Sequence, residues 1–515
     1  MATTDREKGC LYLVGAGPGD PGLLTLRGRD VLGRADVVLY DALANPRLLA
    51  FAPPEAERID VGKRGGRHRL TQDEINELLV REAAAGKVVV RLKGGDPVLF
   101  GRGAEEAEAA AAHGIPFEFV PGVTSAIAAP IYAGIPVTHR EHASSVTFVT
   151  GHEDPTKPES SLDWALLAGL VRRGGTLVIL MGVRGLPAIC RELLAHGLPP
   201  TTPAATVASG TLPEQRTVAA ALAELPQAAA AAGLAAPAVT VIGPVVAARE
   251  ALRWFDRRPL FGRRVVVTRT RDQASALSGQ LRDLGADVIE LPTIQIEPLP
   301  FEGDLRRAVE NIDRYAWLVF TSPNGVTHFL AHFLDRWGDI RRLSGPQLAA
   351  IGPGTALKLR ERNLSCDLVP DARYQQEGLL EAFARVCIRG KRVLLARAET
   401  ARDLLVTGLQ ERGALVEVVP VYRTVHPPRA ELTGPLAQLA APGVDWITFT
   451  SSSTAEHFVT LLGSAGLQAL GSDVRYASIG PVTSEAARRL GLPIAVEAAR
   501  ATIEDLVAAI VRSTP

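Results

Sequence analysis

Residues 88–106 read VVVRLKGGDPVLFGRGAEE, an apolar strand that breaks into a Gly94-Gly95-Asp96-Pro97 turn and resumes as a helical pattern. Glycine lets the backbone take positive φ and come close to a ligand, and proline fixes the turn that follows. The same design stands upstream, where the apolar residues 11–14 run into Gly15-Ala16-Gly17-Pro18-Gly19-Asp20 ahead of a helical stretch near Leu23. Val120-Pro121-Gly122-Val123-Thr124-Ser125-Ala126 supplies a third segment of this kind. One such turn is ordinary in an α/β protein; several can wall one pocket. A dinucleotide fingerprint does not fit, because the glycines fall at 15, 17 and 19 and Asp20 stands where G-x-G-x-x-G needs its third glycine.

The chain has 515 residues, enough for about two to four domains. Its 56 basic and 56 acidic residues balance, so no global field draws it to nucleic acid or to a membrane, and any anion site must be local. Cys10, Cys190, Cys366 and Cys387 stand far apart with no C-x-x-C pair, which argues against a disulfide scaffold or zinc knuckle and fits a reducing cytoplasm. The scattered histidines show no metal spacing, and no metal is expected. The N-terminus is polar and no apolar run approaches the ~18 residues of a membrane span, so the protein is expected to be soluble and cytoplasmic.

A boundary falls near residues 256–262, where charge, proline and glycine precede a fresh strand at residues 264–268. Beyond it the chain repeats itself. RVVVTRTRDQASALSGQLRDLGADVIELP from Arg264 matches RVLLARAETARDLLVTGLQERGALVEVVP from Arg392, with Arg269 on Arg397, Gly285 on Gly413 and Pro292 on Pro420, an offset of 128. Trp317-Leu-Val-Phe-Thr-Ser322 answers Trp446-Ile-Thr-Phe-Thr-Ser451 at an offset of 129. Each copy reads strand, amphipathic helix, strand, with Ala274, Leu277, Leu281 and Leu284 on one helix face. Two similar doubly wound lobes follow, with Thr321, Ser322, Thr450 and Ser451 at strand-to-helix turns, where open α/β sheets bind ligands. Ordinary helix capping by Ser and Thr is an equally available role for these four.

Residues 9–255 resemble uroporphyrinogen-III C-methyltransferase, of the tetrapyrrole methylase superfamily. The resemblance rests on VGAGPGDPGLLTL, VVLYDAL, VGKRGGRH, RLKGGDPVLFGRG, VPGVTSAIAAPIYAGIPVTHR and SGTLPEQR. Residues 262–515 resemble uroporphyrinogen-III synthase through FTSPNGV, IGPGTA, GALVEVVPVYRT, ITFTSSST and IGPVTSEAARRLGL. The expected fold is therefore α/β throughout: a two-subdomain tetrapyrrole methylase fold over residues 1–255, a linker at 256–261, and a pair of doubly wound lobes over 262–515. That family interleaves its lobes, which implies one lobe from 262–297 with 425–515 and the other from 298–424, with crossings at residues 293–298 and 422–427.

The resemblance implies that the C-terminal half closes hydroxymethylbilane to uroporphyrinogen III, and that the N-terminal half methylates C2 and C7 to precorrin-2, on the way to sirohaem or cobalamin. S-adenosyl-L-methionine supplies the methyl groups and leaves as S-adenosyl-L-homocysteine. It also implies that Pro18, Gly94, Gly95, Asp96, Leu99, Thr124, Ser125, Met181, Gly210 and Ala238 line the cofactor site, and that the methylase half dimerises. Removing a proton after methylation calls for a general base, for which Asp41 is the candidate, with Lys63 as the matching donor. A substrate with eight carboxylates calls for cations, and Arg64, Arg67, Arg102 and Arg140 are the candidates, within two basic groups that also hold His68, Arg69, Lys93 and His139. In the synthase half Tyr422 is the candidate acid, and Arg269, Thr321, Ser322, Arg397, Thr450 and Ser451 the candidate carboxylate holders. Ala104 and Glu141 depart from the family strings, where glycine is frequent. Rival readings are a methylase for a later precorrin or for diphthine, and a C-terminal half that only binds tetrapyrrole or regulates.

Overall fold

The computed structural model describes residues 9–62, 70–151, 161–269, 271–371, 373–425, 427–441 and 443–514. Lys63, Arg64 and Arg67, with His68 and Arg69, lie outside the described residues. The chain divides into two compact units that meet in sequence near Arg263. Among the described residues no helix is long and apolar enough to cross a membrane.

The N-terminal unit is built on two sheets. The first contains β1 (Cys10–Gly15), β2 (Val37–Tyr40), β3 (Glu57–Asp60), β4 (Val88–Lys93) and β5 (Phe117–Val120), in the order β3-β2-β4-β1-β5. All its pairings are parallel. Its central strands are continuous apolar runs because helices cover both faces. Val38, Val90 and Leu92 enter the core on one side, Val37, Leu39 and Val89 that on the other. The second sheet contains β6 (Val146–Thr150), β7 (Thr176–Leu180), β8 (Pro203–Ala208), β9 (Arg216–Ala221) and β10 (Ala238–Ile242), ordered β6-β7-β10-β8-β9. Here only β6 and β7 run parallel; β10 is antiparallel to both neighbours, and β9 to β8.

The C-terminal unit opens with β11 (Arg264–Val267) and β12 (Asp287–Glu290), continues through β13 (Gln295–Pro298), β14 (Trp317–Phe320), β15 (Gln347–Ala350), β16 (Arg392–Ala398) and β17 (Leu415–Val425), and closes with β18 (Val444–Phe449), β19 (Arg475–Ser478) and β20 (Ile494–Glu497). The strands form two sheets, β12-β11-β18-β19-β20 and β13-β17-β16-β14-β15. Each sheet thus joins one copy of the Arg264/Arg392 repeat to one copy of the Trp317/Trp446 repeat, in the same spatial order. The first sheet takes its copies from opposite ends of the unit, the second from the middle. β13 pairs antiparallel with the end of β17, Gln295 opposite Val425 and Pro298 opposite Tyr422, so the two segments expected as crossings are hydrogen-bonded to each other.

One core shows the consequence of this interleaving. Val266, Ile289 and Leu291 pack with Leu432, Ile447, Phe449, Phe458 and Tyr476, though some 140 residues of chain lie between the two groups. Phe449 is fully buried and stacks near Tyr476 and edge-on to Phe458. Phe449→Ala is expected to cost about 3–5 kcal/mol in denaturant unfolding. Hydrogen exchange should show β11 and β18 losing protection together; a variant that exposes only residues 444–449 would contradict a shared core.

Candidate active sites

In the first sheet β4, β1 and β5 are neighbours, and the glycine segments at their carboxyl ends touch. A Cβ on Gly122 would lie 2.3 Å from the Gly95 carbonyl oxygen and 2.6 Å from Gly15 Cα. No other residue type fits at Gly122 or Gly15 without moving backbone. Gly17 and Gly95, both at positive φ, exchange backbone hydrogen bonds at 3.2 and 2.7 Å. The Asp96 carboxylate holds the rest of the loop: Oδ1 accepts from the Val98 and Leu99 N–H groups at 2.9 and 3.0 Å, and Oδ2 from Gly122 N–H at 3.1 Å. Asp96 therefore shapes the loop that holds Gly94, Gly95 and Leu99 with its side chain, and half-buried Pro18 follows Gly17 on the neighbouring loop.

Thr124 caps the helix Ser125–Tyr132 by accepting from Ala126 N–H, at a helix N-terminus suited to a carboxylate or other anion. From the second sheet come Met181 after β7, Gly210 after β8 and Ala238 at the start of β10. Met181, Ser209 and Thr211 have φ of 56°, 49° and 73°, and Phe100 and Arg102 have 55° and 60°. Non-glycine residues in this region are strained by roughly 1–3 kcal/mol each, a condition concentrated at ligand clamps. A polar circuit ties the two sets of loops. Tyr132 Oη donates to Asp20 at 2.9 Å, Asp20 N–H to Thr211 Oγ1 at 3.0 Å, Thr211 N–H to Gln215 Oε1 at 2.9 Å, and Gln215 Nε2 to the Tyr132 carbonyl at 3.2 Å.

Asp41 follows β2 directly. Its Oδ1 accepts from Leu43 N–H at 3.1 Å, and Leu43 lies against Gly94, where an added Cβ would come within 2.6 Å of it. Behind Asp41 is a group of buried charges. Arg91 Nη2 is 3.7 Å from Asp41 Oδ2. Glu106 Oε1 accepts from Lys93 Nζ at 2.7 Å, Arg91 Nε at 3.1 Å and Gln72 Nε2 at 3.3 Å. Arg91, Lys93 and Glu106 are 4%, 5% and 1% exposed, too little for any of them to meet substrate. Lys93, read from sequence as a pocket cation, instead neutralises Glu106. Burial, with Arg91 close by, pushes the Lys93 ammonium below the ordinary lysine range. The signal for this group was present in the sequence as Arg91 and Lys93 at alternate positions of an otherwise apolar strand. Arg102 is exposed and paired with Glu105 at 2.6 Å. Such surface pairs are worth about 0–1 kcal/mol, so a substrate carboxylate can displace Glu105 at little cost. Arg140 is also exposed.

In the C-terminal unit Tyr422 is buried, and its Oη lies 3.0 Å from Ser322 Oγ, which also accepts from Gly325 N–H. Burial raises the Tyr422 pKa, with the Ser322 hydrogen bond acting the other way. Thr321 and Ser322 follow β14 and Arg397 is near the end of the adjacent β16. Arg397 spends its guanidinium on the Arg402 carbonyl and Asp403 at 3.0 and 2.8 Å. The first sheet of this unit has the equivalent set: Arg269 after β11, Thr450 and Ser451 after the neighbouring β18. Burial depresses Arg269, and Ser451 caps its helix in a reciprocal pair with Thr454. His328, not foreseen, lies 5.8 Å from the Tyr422 ring.

Comparison with known proteins matches both units. Residues 10–226 match the model of the Tetrapyrrole (Corrin/Porphyrin) Methylases and residues 275–508 that of Uroporphyrinogen-III synthase HemD. The porphyrin biosynthesis protein HemD of Ruminiclostridium josui is 38% identical over 505 residues, 97% of either chain. The chain belongs to the family that joins a tetrapyrrole methylase to a uroporphyrinogen-III synthase. An S-adenosyl-L-methionine-dependent uroporphyrinogen III methyltransferase of Methanosarcina barkeri is 56% identical over 238 residues, 46% of this chain and 92% of that one. The uroporphyrin-III C-methyl transferase of Thermus thermophilus, solved with S-adenyl homocysteine, is 42% identical over 46% of this chain and 99% of its own, with a TM-score of 0.39. The family is enzymatic in both halves and uses S-adenosyl-L-methionine in the first.

Removing the anion from the buried cluster would leave Lys93 without its carboxylate and Arg91 with only Asp41 at 3.7 Å. Glu106→Gln is expected to destabilise the N-terminal unit by about 3–5 kcal/mol. Arg102→Ala, in contrast, should leave unfolding unchanged within ~0.5 kcal/mol, since only an exposed pair is lost. Urea denaturation of the two variants checks both expectations.

Proposed function

We propose that residues 262–515 close hydroxymethylbilane to uroporphyrinogen III with ring D inverted, and that residues 1–255 methylate that product at C2 and C7 to precorrin-2. The observation that carries the methylase assignment is the glycine contact at the ends of β1, β4 and β5 with Asp41 beside it. Gly15 packs on the Gly122 backbone and Gly94 on Leu43 where a Cβ would clash, while Gly17 and Gly95 take positive φ, and loops of this kind fit a cofactor bound chiefly by main-chain groups. Pro18, Gly94, Gly95, Leu99, Thr124, Ser125, Met181, Gly210 and Ala238 would hold S-adenosyl-L-methionine, with Asp96 organising the loop. When bound, that group supplies an electrophilic methyl to an electron-rich pyrrole carbon.

Methylation leaves the macrocycle with a proton to lose. Asp41 accepts it at a carboxylate whose Oδ1 is held by Leu43 N–H and whose Oδ2 lies near Arg91. Lys63 returns a proton, and Arg64, Arg67, Arg102 and Arg140 meet the substrate's carboxylates. The proposed unit works as a cytoplasmic homodimer through its methylase half. Asp41→Asn is expected to lower methylation about 100-fold or more while S-adenosyl-L-homocysteine still binds, as calorimetry would show. Equal loss of binding would point to a disturbed loop and remove Asp41 from the proton path.

In the synthase half the substrate's own pyrroles stabilise the cation left when hydroxide departs, so the protein mainly holds the chain folded for attack at the substituted carbon of ring D. Arg269, Arg397, Thr321, Ser322, Thr450 and Ser451 hold carboxylates, and Tyr422 protonates the leaving hydroxyl. Tyr422 has its pKa raised and so keeps its proton through neutral and mildly alkaline pH; donor function is lost only when pH rises through that raised value. Tyr422→Phe is expected to lower the rate about 100-fold or more, and the wild type should show no alkaline loss below pH ~10. Uroporphyrinogen III formed by residues 262–515 alone, followed chromatographically, would exclude a half that only binds.

A further inference from the structure

The fold assembles one group of side chains whose spacing in the sequence suggests no metal site. The turn at residues 139–143 is closed in both directions: His139 N–H donates to the Ala143 carbonyl at 3.0 Å and Ala143 N–H to the His139 carbonyl at 2.9 Å. A further bond, His142 N–H to the His139 carbonyl at 3.2 Å, tightens it. This closure gathers His139, Glu141 and His142, one ligand atom from each lying within 4.8 Å of the others. The two imidazole rings stack at 4.5 Å between centroids. His139 is half-buried; Glu141 and His142 are exposed.

We propose that His139, Glu141 and His142 form a binding site for a divalent first-row transition ion. Two imidazole nitrogens and one carboxylate oxygen suit zinc, cobalt or nickel, whereas calcium and magnesium favour oxygen alone. Three protein ligands leave a fourth tetrahedral position to water or to another ligand. Bonds of about 2.0–2.2 Å set donors about 3.3 Å apart, so the trio must contract by about 1.5 Å at its widest. Rotation of the two exposed side chains out of the ring stack can supply this while the doubly bonded turn keeps the backbone in place. His139 Nδ1 now accepts from Glu141 N–H at 3.2 Å. A neutral ring that accepts at Nδ1 carries its proton on Nε2, so the ion takes the place of that N–H at Nδ1. Glu141 is exposed, and water satisfies the amide released. Arg140 projects the one adjacent positive charge on the turn, exposed and therefore screened by salt.

Spacing explains why sequence reading passed over the trio. His139, Glu141 and His142 stand at i, i+2 and i+3, which corresponds to neither one helix face nor one strand face. Only the turn brings them together. The proposal is independent of the methyl-transfer reading, and its test needs no turnover.

The full chain would be titrated with cobalt(II), following ligand-field absorption, and then with zinc(II) to displace it. One equivalent is expected in the wild type. His142→Ala and Glu141→Gln should each weaken uptake more than about tenfold, the lower end of what even a supporting group contributes to a metal site. Both residues are exposed, so the variants should unfold at the wild-type temperature. No cobalt spectrum from the wild type, or undiminished uptake by either variant, would overturn the site.

Discussion

Van der Waals contact between the backbones of Gly15, Gly95 and Gly122 is the constraint on which the N-terminal unit depends. The strand ends can approach to this distance only if Gly15 and Gly122 carry no Cβ, while Gly95 supplies the positive φ of 71° that the turn needs. The approach sets where Asp96 can reach, and Asp96 in turn bonds both its own loop and Gly122. Leu43, whose N–H bonds the Asp41 carboxylate, lies against Gly94, so Asp41 stands close to the same loops.

Charge in this unit is arranged in two ways. Arg91, Lys93 and Glu106 are desolvated, and two cations share one carboxylate, with Asp41 3.7 Å from Arg91. Buried groups of this kind are held by mutual compensation, and loss of one leaves the others costly. Arg102 and Arg140 are exposed, and Arg102 can exchange Glu105 for another partner at small cost. The same sequence segment, residues 88–106, thus supplies both a fixed internal charge group and an exchangeable external cation. The synthase unit uses hydroxyls instead: Tyr422 of β17 and Ser322 after β14 bond each other, and burial keeps the phenol protonated.

Much of this was legible from residue order. Strand ends at 15, 94 and 120, the helix caps Ser322 and Ser451, and the duplicated strands after Arg264 and Arg392 are local patterns that depend on neighbours a few residues away. Roles that depend on distant partners were not legible. Glu106 reads as one helix acid among several until Lys93 and Arg91 are seen against it. The bonds from Arg397 to Asp403 and to the Arg402 carbonyl were not legible either. The bond from Gly122 N–H to Asp96 was likewise not legible, because 26 residues separate the two.

By itself the sequence determined the element types, the duplication, the positions where only glycine serves, and membership of the family. The element types and the glycine positions follow from side-chain periodicity and backbone sterics, which act within a few residues; the duplication and the family are read from matching strings of residues. The tertiary structure decided which copies of the repeat share a sheet, how the segments 295–298 and 422–425 pair, and which charges are buried. Identical repeat units can pair in more than one way with similar local energies. Hydrogen-bond register and desolvation separate those ways, and both are defined only once distant strands lie side by side.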